Sequence, residues 1–363
     1  MLDGKTVVDL WGGHYDETRT REWERDTLVN VYSVTKGMTA ICAHQLIERG
    51  MLDIDAPVCE YWPEFAAAGK QAISVRWLLS HKAGLPAIRD PLPLNSLYDW
   101  NLMCSALAAQ APWWTPGEHH GYHIMTFGYL VGELIRRVSG ESIGAYFRKH
   151  VAEPLDADFH IGLSEEHDVR TSHVFGVHAG NRPAPSAPTE PGAREEFMRA
   201  WQTWQDPTTM QGAATLNPPQ SRGAVNTREW RAAEIPSVNG HGNARALARI
   251  YGALARGGEI DGTRILESKT IDRATTEEAF GPDRLFSGRP SRFGLGFMLS
   301  HDFSRLSPNP RAFGHAGAGG SLGMADPDAK IGFGFTMNNM QMGIVSAGST
   351  AALMVDAFCE APR

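Results

Sequence analysis

Residues 31–47 read Val31-Tyr32-Ser33-Val34-Thr35-Lys36-Gly37-Met38-Thr39-Ala40-Ile41-Cys42-Ala43-His44-Gln45-Leu46-Ile47, and the rest of the chain can be interpreted around this stretch. It predicts the end of a short β-branched strand and then a helix. Gly50 closes that helix at the position that favours a left-handed conformation. Lys36 is the only permanent charge in the stretch, and apolar or small residues occupy every face of the helix. We therefore expect the helix, and Lys36 with it, to be buried on all sides.

Ser33 and Lys36 have the geometry of an activated nucleophile. A spacing of three residues puts both side chains on one face of the first helical turn. Burial in apolar surroundings lowers the pKa of an ammonium group, so Lys36 can act as a base toward the Ser33 hydroxyl. The free N–H groups at the start of the same helix would stabilise an oxyanion.

The S-x-x-K spacing alone does not establish an active site. Serine at a helix start is commonly only an N-cap. At average residue usage, S-x-x-K arises by chance roughly once in a chain of this length. The uncharged helix around Lys36 is the more specific signal, because lysine is almost never fully buried without a reason.

The composition describes an ordinary globular protein that handles small molecules. The chain has 363 residues, 42% of them hydrophobic and 21% charged, with a net charge of −7. This acidic excess argues against nucleic acid or an anionic membrane as partner. Four widely spaced cysteines indicate neither a zinc site nor a disulfide framework. No stretch has the pattern of a membrane span or a signal peptide, so we predict a cytoplasmic location.

The pattern along the chain predicts strands at both ends and helices in the middle. Strands are expected at residues 5–13, 293–299, 321–325 and 331–337, the last two forming a hairpin around residues 326–329. Helices are expected at 73–81, 97–110, 126–139, 144–151, 243–256 and 345–359. Residues 158–237 are rich in proline and glycine, and we interpret them as a long loop that walls a site with Trp201 and Trp204.

Two later segments could complete the site. Tyr122 lies in a glycine-flanked loop before a helix, where nearby cations would lower the pKa of its phenol toward a working range. His315 lies in the glycine-rich segment 313–320, which could supply an oxyanion donor from a strand edge, with His315 adding a hydrogen bond or partial charge. A surface tyrosine and a buried structural histidine are the plain alternatives.

Taken in order, these three motifs resemble the serine β-lactamase and penicillin-binding-protein superfamily, and most of all the class C-like family VIII carboxylesterases. The resemblance implies an α+β fold of the β-lactamase/transpeptidase type: an antiparallel sheet flanked by helices, plus a mostly helical domain. We expect residues 1–58 and 236–363 to form the discontinuous sheet domain, and residues 59–235 to form the helical domain with the long loop over the site.

The resemblance also assigns roles. Ser33 would be acylated, Lys36 and Tyr122 would share its proton, and the N–H groups of Ser33 and Ala318 would hold the oxyanion, with His315 and Gly317 beside the substrate. No metal or other cofactor is implied. The expected function is hydrolysis of short-chain carboxylic esters.

Two departures from the β-lactamase pattern favour neutral esters over β-lactams. Ile124 stands where a β-lactamase has an asparagine, and His315 replaces a lysine that binds the substrate carboxylate. Relatives usually carry a helix before the first strand, so we expect either that a segment precedes Met1 or that one face of the sheet is uncovered.

Two other patterns carry less weight. Residues 319–323 spell G-x-S-x-G around Ser321, but that motif needs a strand, turn and helix and a later histidine, and no histidine follows His315. His119, His120 and His123 lack the H-E-x-x-H spacing of a metal site.

Several functions remain open alongside ester hydrolysis. The same site could serve an acyltransferase, or a β-lactamase or D-amino-acid peptidase. A binding protein that has lost the chemistry is the alternative from another class. The sequence does not decide the oligomeric state.

Overall fold

The computed structural model describes residues 1–176, 191–302, 304–341 and 349–360. Its α-helices are α1 Thr35–Glu48, α2 Val75–Leu79, α3 Trp100–Ala109, α4 Thr126–Ser139, α5 Ile143–Phe147, α6 Pro191–Gln205, α7 Met210–Leu216, α8 Arg228–Ala232, α9 Ala244–Ala255, α10 Ser268–Ala274 and α11 Thr350–Glu360. Its strands are β1 Val29–Asn30, β2 Phe159–His160, β3 Phe175–Gly176, β4 His241–Gly242, β5 Glu259–Ile260, β6 Thr263–Arg264, β7 Ala279–Pro282, β8 Pro290–Phe293, β9 Met298–Leu299, β10 Phe313–Ala316, β11 Leu322–Asp326, β12 Ile331–Phe335 and β13 Asn339–Met340.

The main sheet is antiparallel and has six strands in the order β12-β11-β10-β9-β8-β7. The predicted hairpin is confirmed, because β11 pairs with β12 across the turn that follows Asp326. The Asp326 carboxylate accepts the N–H groups of Asp328 and Ala329, which fixes this turn. A smaller antiparallel sheet, β1-β4-β2, leads directly into α1.

Helix α1 is the buried centre of the molecule. Every residue from Thr35 to Leu46 is buried, as the uncharged sequence predicts. Gly37 faces Tyr251 of α9 so closely that a Cβ at Gly37 would collide with the Tyr251 hydroxyl, and Gly323 of β11 leaves room for the same ring. Small residues therefore let α1, α9 and the sheet approach each other around one aromatic side chain.

The predicted helix ends are confirmed where a glycine closes the helix. Gly50 after α1 and Gly140 after α4 are both left-handed, and α4 has the predicted bounds. Helix α9 begins one residue after Asn243, whose side chain caps it. Helix α2 is shorter than predicted, because His81, at φ 60°, takes the left-handed turn before Gly84 does.

Four predictions about elements are wrong in whole or in part. The strand predicted at residues 5–13 is absent, since residues 6–12 have no regular structure; Met1 to Asp3 instead hydrogen-bond to the start of β12 around the bridge between Leu2 and Ile331. Residues 158–237 are not one loop, since α6, α7 and α8 lie within them. Residues 293–299 form the turn and second strand of a β8–β9 hairpin rather than one strand. Helix α11 starts at Thr350, and the predicted part at 345–348 lies outside the described residues.

Within the described ranges no helix is both long and apolar enough to cross a bilayer.

Candidate active site

Ser33 lies in the connection between β1 and α1, where the backbone takes an unusual conformation. The preceding residue, Tyr32, has φ 48°, a region that a bulky side chain occupies at a cost of about 1–3 kcal/mol. The Thr35 hydroxyl donates to the Tyr32 carbonyl at 2.5 Å and accepts the Gly240 N–H, which holds this turn in place. Ser33 is not the N-cap of α1, and its hydroxyl is left for chemistry.

Lys36 is fully buried one helical turn after Ser33. Its Nζ lies 3.3 Å from Ser33 Oγ, 2.7 Å from the Ile124 carbonyl oxygen and 3.2 Å from the Ser237 carbonyl oxygen. Burial lowers the pKa of Lys36 well below its ordinary value, which favours the neutral amine. A neutral amine has two N–H groups and one lone pair. The two carbonyls can only accept, so the lone pair is left for the Ser33 hydroxyl.

Tyr122 lies beside Ser33 and Lys36, but its pKa is raised, whereas the sequence predicted a lowered pKa. Its side chain is buried, its ring centre lies 4.7 Å from Lys36 Nζ, and it shares a hydrogen bond with the Ser33 side chain. Burial raises the pKa of the phenol, and the Ser33 hydrogen bond opposes that shift. The predicted lowering is wrong because burial penalises the charged phenolate more than its neighbours stabilise it. Tyr122 is therefore a neutral phenol that can relay or donate a proton.

His315 is a neutral acceptor rather than a source of positive charge. Its Nδ1 lies 2.8 Å from the Ala316 carbonyl oxygen, which can only accept, so Nδ1 carries the proton. Burial lowers the pKa of His315 to about 3. Its Nε2 is buried without a hydrogen-bond partner among the described residues. His315 therefore carries no full positive charge at neutral pH, and the hydrogen bond or partial charge expected of it stays a prediction.

Gly317 and Ala318 follow β10 at the same end of the site. A Cβ at Gly317 would collide with the Val31 carbonyl oxygen, so glycine lets this segment lie against the turn before Ser33. The Gly317 N–H donates to the Ser321 carbonyl at 2.7 Å and is not available to a substrate. In the described part of the chain, neither the Ser33 N–H nor the Ala318 N–H has an acceptor, as an oxyanion site requires.

The histidines near Tyr122 make hydrogen bonds to the surrounding protein. His123 Nδ1 lies 2.6 Å from the Gly121 carbonyl oxygen, and its Nε2 accepts the Leu85 N–H at 3.1 Å. His81 Nδ1 accepts the His123 N–H, and burial lowers the pKa of both rings. His120 Nε2 instead contacts the Ser291 hydroxyl at 3.0 Å.

One side of the site is an aromatic wall, which we define as Trp204 and Phe286 stacked beside Tyr122. The Phe286 ring centre lies 5.7 Å from that of Tyr122, and the Trp204 ring centre lies 6.2 Å from that of Phe286. Ile124, Met210 and Met298 pack against the same cluster. Trp204 therefore lies in a wall of the site, although it comes from helix α6 rather than from a loop.

Asp283 is a buried carboxylate beside Tyr122 that the sequence analysis missed. It accepts the Tyr122 N–H and the Ser291 hydroxyl. Its signal in the sequence is weak: one acid in the mainly apolar and glycine-containing stretch from Ala279 to Phe286. Only the pairing of β7 with β8 brings it to the Tyr122 loop.

Ser321, the serine of the G-x-S-x-G string, lies outside this constellation. It follows a short helical turn between two antiparallel strands, β10 and β11, and no strand, turn and helix surround it. Its carbonyl accepts the Gly317 N–H and its side chain is buried.

Comparison with known proteins gives a family match over nearly the whole chain. The family model described as Beta-lactamase matches residues 1–353. The esterase/beta-lactamase LipL of Mycobacterium tuberculosis is 36% identical over 358 residues, which is 93% of this chain and 76% of LipL.

Solved structures give the same result at the level of the fold. A family VIII carboxylesterase is 41% identical with a TM-score of 0.83, covering 95% of this chain and 87% of the other. EstA from Arthrobacter nitroguajacolicus Rue61a is 34% identical with a TM-score of 0.82, covering 97% and 87%. The fold class predicted from the sequence is confirmed.

Proposed function

The chain belongs to the beta-lactamase family, and from this premise we propose that it hydrolyses carboxylic esters through an acyl-enzyme on Ser33. It is a serine hydrolase of the carboxylesterase type, in line with the similarity to LipL and to the family VIII carboxylesterase. The observation that carries the assignment to Ser33 is the buried Lys36 amine, whose two N–H groups are taken by carbonyls and whose lone pair faces the Ser33 hydroxyl.

The proposed acylation follows from the protonation states of the three side chains. Lys36 accepts the Ser33 proton while Oγ attacks the ester carbonyl carbon, and the N–H groups of Ser33 and Ala318 hold the resulting oxyanion. When the carbon–oxygen bond to the alcohol breaks, neutral Tyr122 gives its phenolic proton to the leaving alkoxide and regains a proton from Lys36. A water molecule then releases the acid by the reverse sequence, which regenerates the Ser33 hydroxyl.

The surroundings of the site favour a neutral small-molecule ester. His315 is uncharged at neutral pH, so it offers no cation to a substrate carboxylate. Ile124 packs against the apolar cluster that includes Tyr122 and offers no side-chain amide. No cofactor is needed for the steps above. The cytoplasmic location stays a prediction.

The two-domain division also remains a proposal, with the site at the junction. Ser33, Lys36 and Ser237 come from the unit formed by residues 1–58 and 236–363. Tyr122 and Ile124 come from the unit 59–235. The contacts of Lys36 with the carbonyls of Ile124 and Ser237 support this placement.

The acyl-enzyme is tested by intact-mass measurement after brief exposure to a series of p-nitrophenyl esters. We expect one added acyl group per chain, and peptide mapping should place it on Ser33, because its hydroxyl faces the lone pair of the buried Lys36 amine. Ser321→Ala is the matched control and should be labelled like the parent protein. Labelling that persists in Ser33→Ala, or maps elsewhere, would contradict the assignment.

Transfer of the acyl group to an added alcohol would identify the acyltransferase alternative, and turnover of nitrocefin the β-lactamase alternative.

The aromatic wall should set a preference for flat, apolar groups. We expect Trp204→Ala to lower kcat/KM for benzyl esters about 2- to 10-fold more than for butyl esters, the size of one aromatic contact. The measurement is the ratio of the two kcat/KM values. Trp201→Ala is the matched control, since Trp201 lies on the same helix but stacks on no ring among the described residues. An unchanged ratio in Trp204→Ala would remove the wall from substrate recognition.

A further inference from the structure

The Asp283 carboxylate lies at the point where two segments of the site meet. It follows strand β7 and its side chain is fully buried. Its Oδ1 accepts the N–H groups of Leu285 at 2.9 Å and Phe286 at 3.1 Å, and the Tyr122 N–H lies 3.2 Å from Oδ1 and 3.1 Å from Oδ2. One carboxylate thus binds the backbone of the Tyr122 loop and that of the Phe286 turn.

A second layer of hydrogen bonds holds the carboxylate itself. The Ser291 hydroxyl donates to Asp283 Oδ2 at 2.8 Å, so its oxygen can accept from His120 Nε2, 3.0 Å away. The His120 carbonyl in turn accepts the Arg284 N–H at 3.0 Å. The loop before Tyr122 and the turn after Asp283 are therefore joined on both sides of the carboxylate.

The Tyr122 ring has few polar contacts that could hold it in place. It packs against the rings of His81, Phe286 and Phe293, with centres 5.0, 5.7 and 5.8 Å away. Ring contacts of this kind restrict tilting of the Tyr122 ring more strongly than they restrict sliding of the ring within its own plane. The distance from the phenol to Ser33 therefore depends on where the Tyr122 backbone is held, and its N–H goes to Asp283.

We propose that Asp283 is a positioning residue for the reaction, which holds Tyr122 at the Ser33 hydroxyl and aligns Phe286 beside it. This inference rests on the proposed function, since it assumes that Tyr122 handles the Ser33 proton. Charged acceptors form shorter and stronger hydrogen bonds than neutral ones, so a carboxylate suits this junction better than an amide. Asp283 touches neither Ser33 nor Lys36 and acts through the backbone it holds.

The test is a double-mutant cycle with Asp283→Asn and Tyr122→Phe, measured as kcat and KM for p-nitrophenyl butyrate. Asparagine keeps the shape but turns one acceptor into a donor. We expect Asp283→Asn to lower kcat by about 10- to 100-fold, the effect of a small misplacement, while KM changes much less. In the Tyr122→Phe background the same substitution should have almost no further effect on kcat, because the hydroxyl that it positions is already gone.

Glu133→Gln is the matched control for the loss of a buried carboxylate. Glu133 is equally buried and accepts from Trp100, Arg136 and Arg137, and none of these residues belongs to the site. We expect Glu133→Gln to lower the melting temperature but to leave kcat of the folded enzyme unchanged. A purely structural role for Asp283 would give the same pattern in Asp283→Asn.

Two outcomes would overturn the inference: an unchanged kcat in Asp283→Asn, or a loss in kcat that is as large in Tyr122→Phe as in the parent protein. If Asp283→Asn does not fold, Ser291→Ala removes one donor to the carboxylate and takes its place in the cycle, with a smaller loss of kcat expected. Failure of the proposed function would be seen separately, as acylation of Ser33→Ala in the mass measurement.

Discussion

Ser33→Ala should reduce turnover of p-nitrophenyl butyrate by on the order of 10⁴-fold or more, because it removes the nucleophile on which Lys36 and Tyr122 act. Its melting temperature should stay within about 2 °C of the parent value, because the substitution breaks no helix cap and Lys36 keeps its hydrogen bonds to the Ile124 and Ser237 carbonyls. The Ser33 hydroxyl caps no helix, and its contacts are with Lys36 and Tyr122. Steady-state kinetics and thermal unfolding monitored by circular dichroism measure the two quantities.

Ser33→Ala tests the mechanism more cleanly than a change at Lys36. Removing the Lys36 amine would leave the buried carbonyls of Ile124 and Ser237 without a donor, at about 1–3 kcal/mol each. Loss of activity there would mix loss of a base with loss of stability. Ser321→Ala serves as the control and should keep full turnover. Turnover that survives in Ser33→Ala would mean that another group performs the reaction.

The buried helix α1 and its lysine were predictable because the information is local. A helix without other charges around one lysine has no exposed face, and its burial follows from composition alone. The same holds for α4, where Gly140 marks the end of an amphipathic segment. In both cases each residue's environment is set by neighbours one turn away along the chain.

The errors in the fold have a common cause in contacts between distant segments. Residues 5–13 have the composition of a strand, but a strand needs a partner, and it is Met1 to Asp3 that hydrogen-bond to the start of β12. Between residues 158 and 237, the many prolines favoured the prediction of a loop, whereas the structure has three helices. One of them, α6, begins at Pro191, and proline is well tolerated at the first position of a helix. Composition averaged over a long segment therefore gave the wrong structure for its parts.

The candidate site divides in the same way. The spacing of Ser33 and Lys36 gave their contact, but the charge state of Tyr122 depended on burial from every side. Cations around the phenol were expected to lower its pKa, whereas burial raises the pKa of Tyr122 and lowers that of Lys36 and His315. Asp283 could not be predicted, because its role exists only after β7 and β8 pair.

The folded protein should be sensitive to acid well above the pH at which its carboxylates titrate. Five fully buried histidines, His81 among them, have their pKa lowered by burial, and for four of them the lowered value is about 4 (His44) or about 3 (His123, His241 and His315). Each must stay neutral while the chain is folded, but each takes up a proton near its ordinary pKa of about 6.5 once unfolded. Between these values the unfolded state binds more protons, so stability falls as the pH is lowered below about 6.5.

The expected loss is large compared with the stability of a typical protein. At pH 5 each of the four histidines contributes about 2 kcal/mol, from 1.36 kcal/mol per pH unit below 6.5, or about 8 kcal/mol together. Native proteins are stable by about 5–15 kcal/mol, so unfolding near pH 5 is expected. Urea denaturation between pH 7.5 and 5 measures the free energy of unfolding directly, and a free energy that stays constant over this range would contradict the prediction.

A substitution remote from Ser33 separates this effect from the chemistry. His44 stacks on Phe297 and its Nε2 contacts the Leu295 carbonyl at 2.9 Å, so His44→Gln can keep a donor there without a titrating group. Together the four histidines account for a loss of about 8 kcal/mol in the free energy of unfolding between pH 7.5 and 5. We expect the loss in His44→Gln to be smaller by about a quarter of that amount, because one of the four titrating groups is gone. Lys36 has the same effect on stability as these histidines. Burial lowers its pKa, so it also favours the folded state at higher pH. Loss of activity on acidification therefore has two sources, protonation of the base and unfolding, and only the unfolding part should respond to His44→Gln.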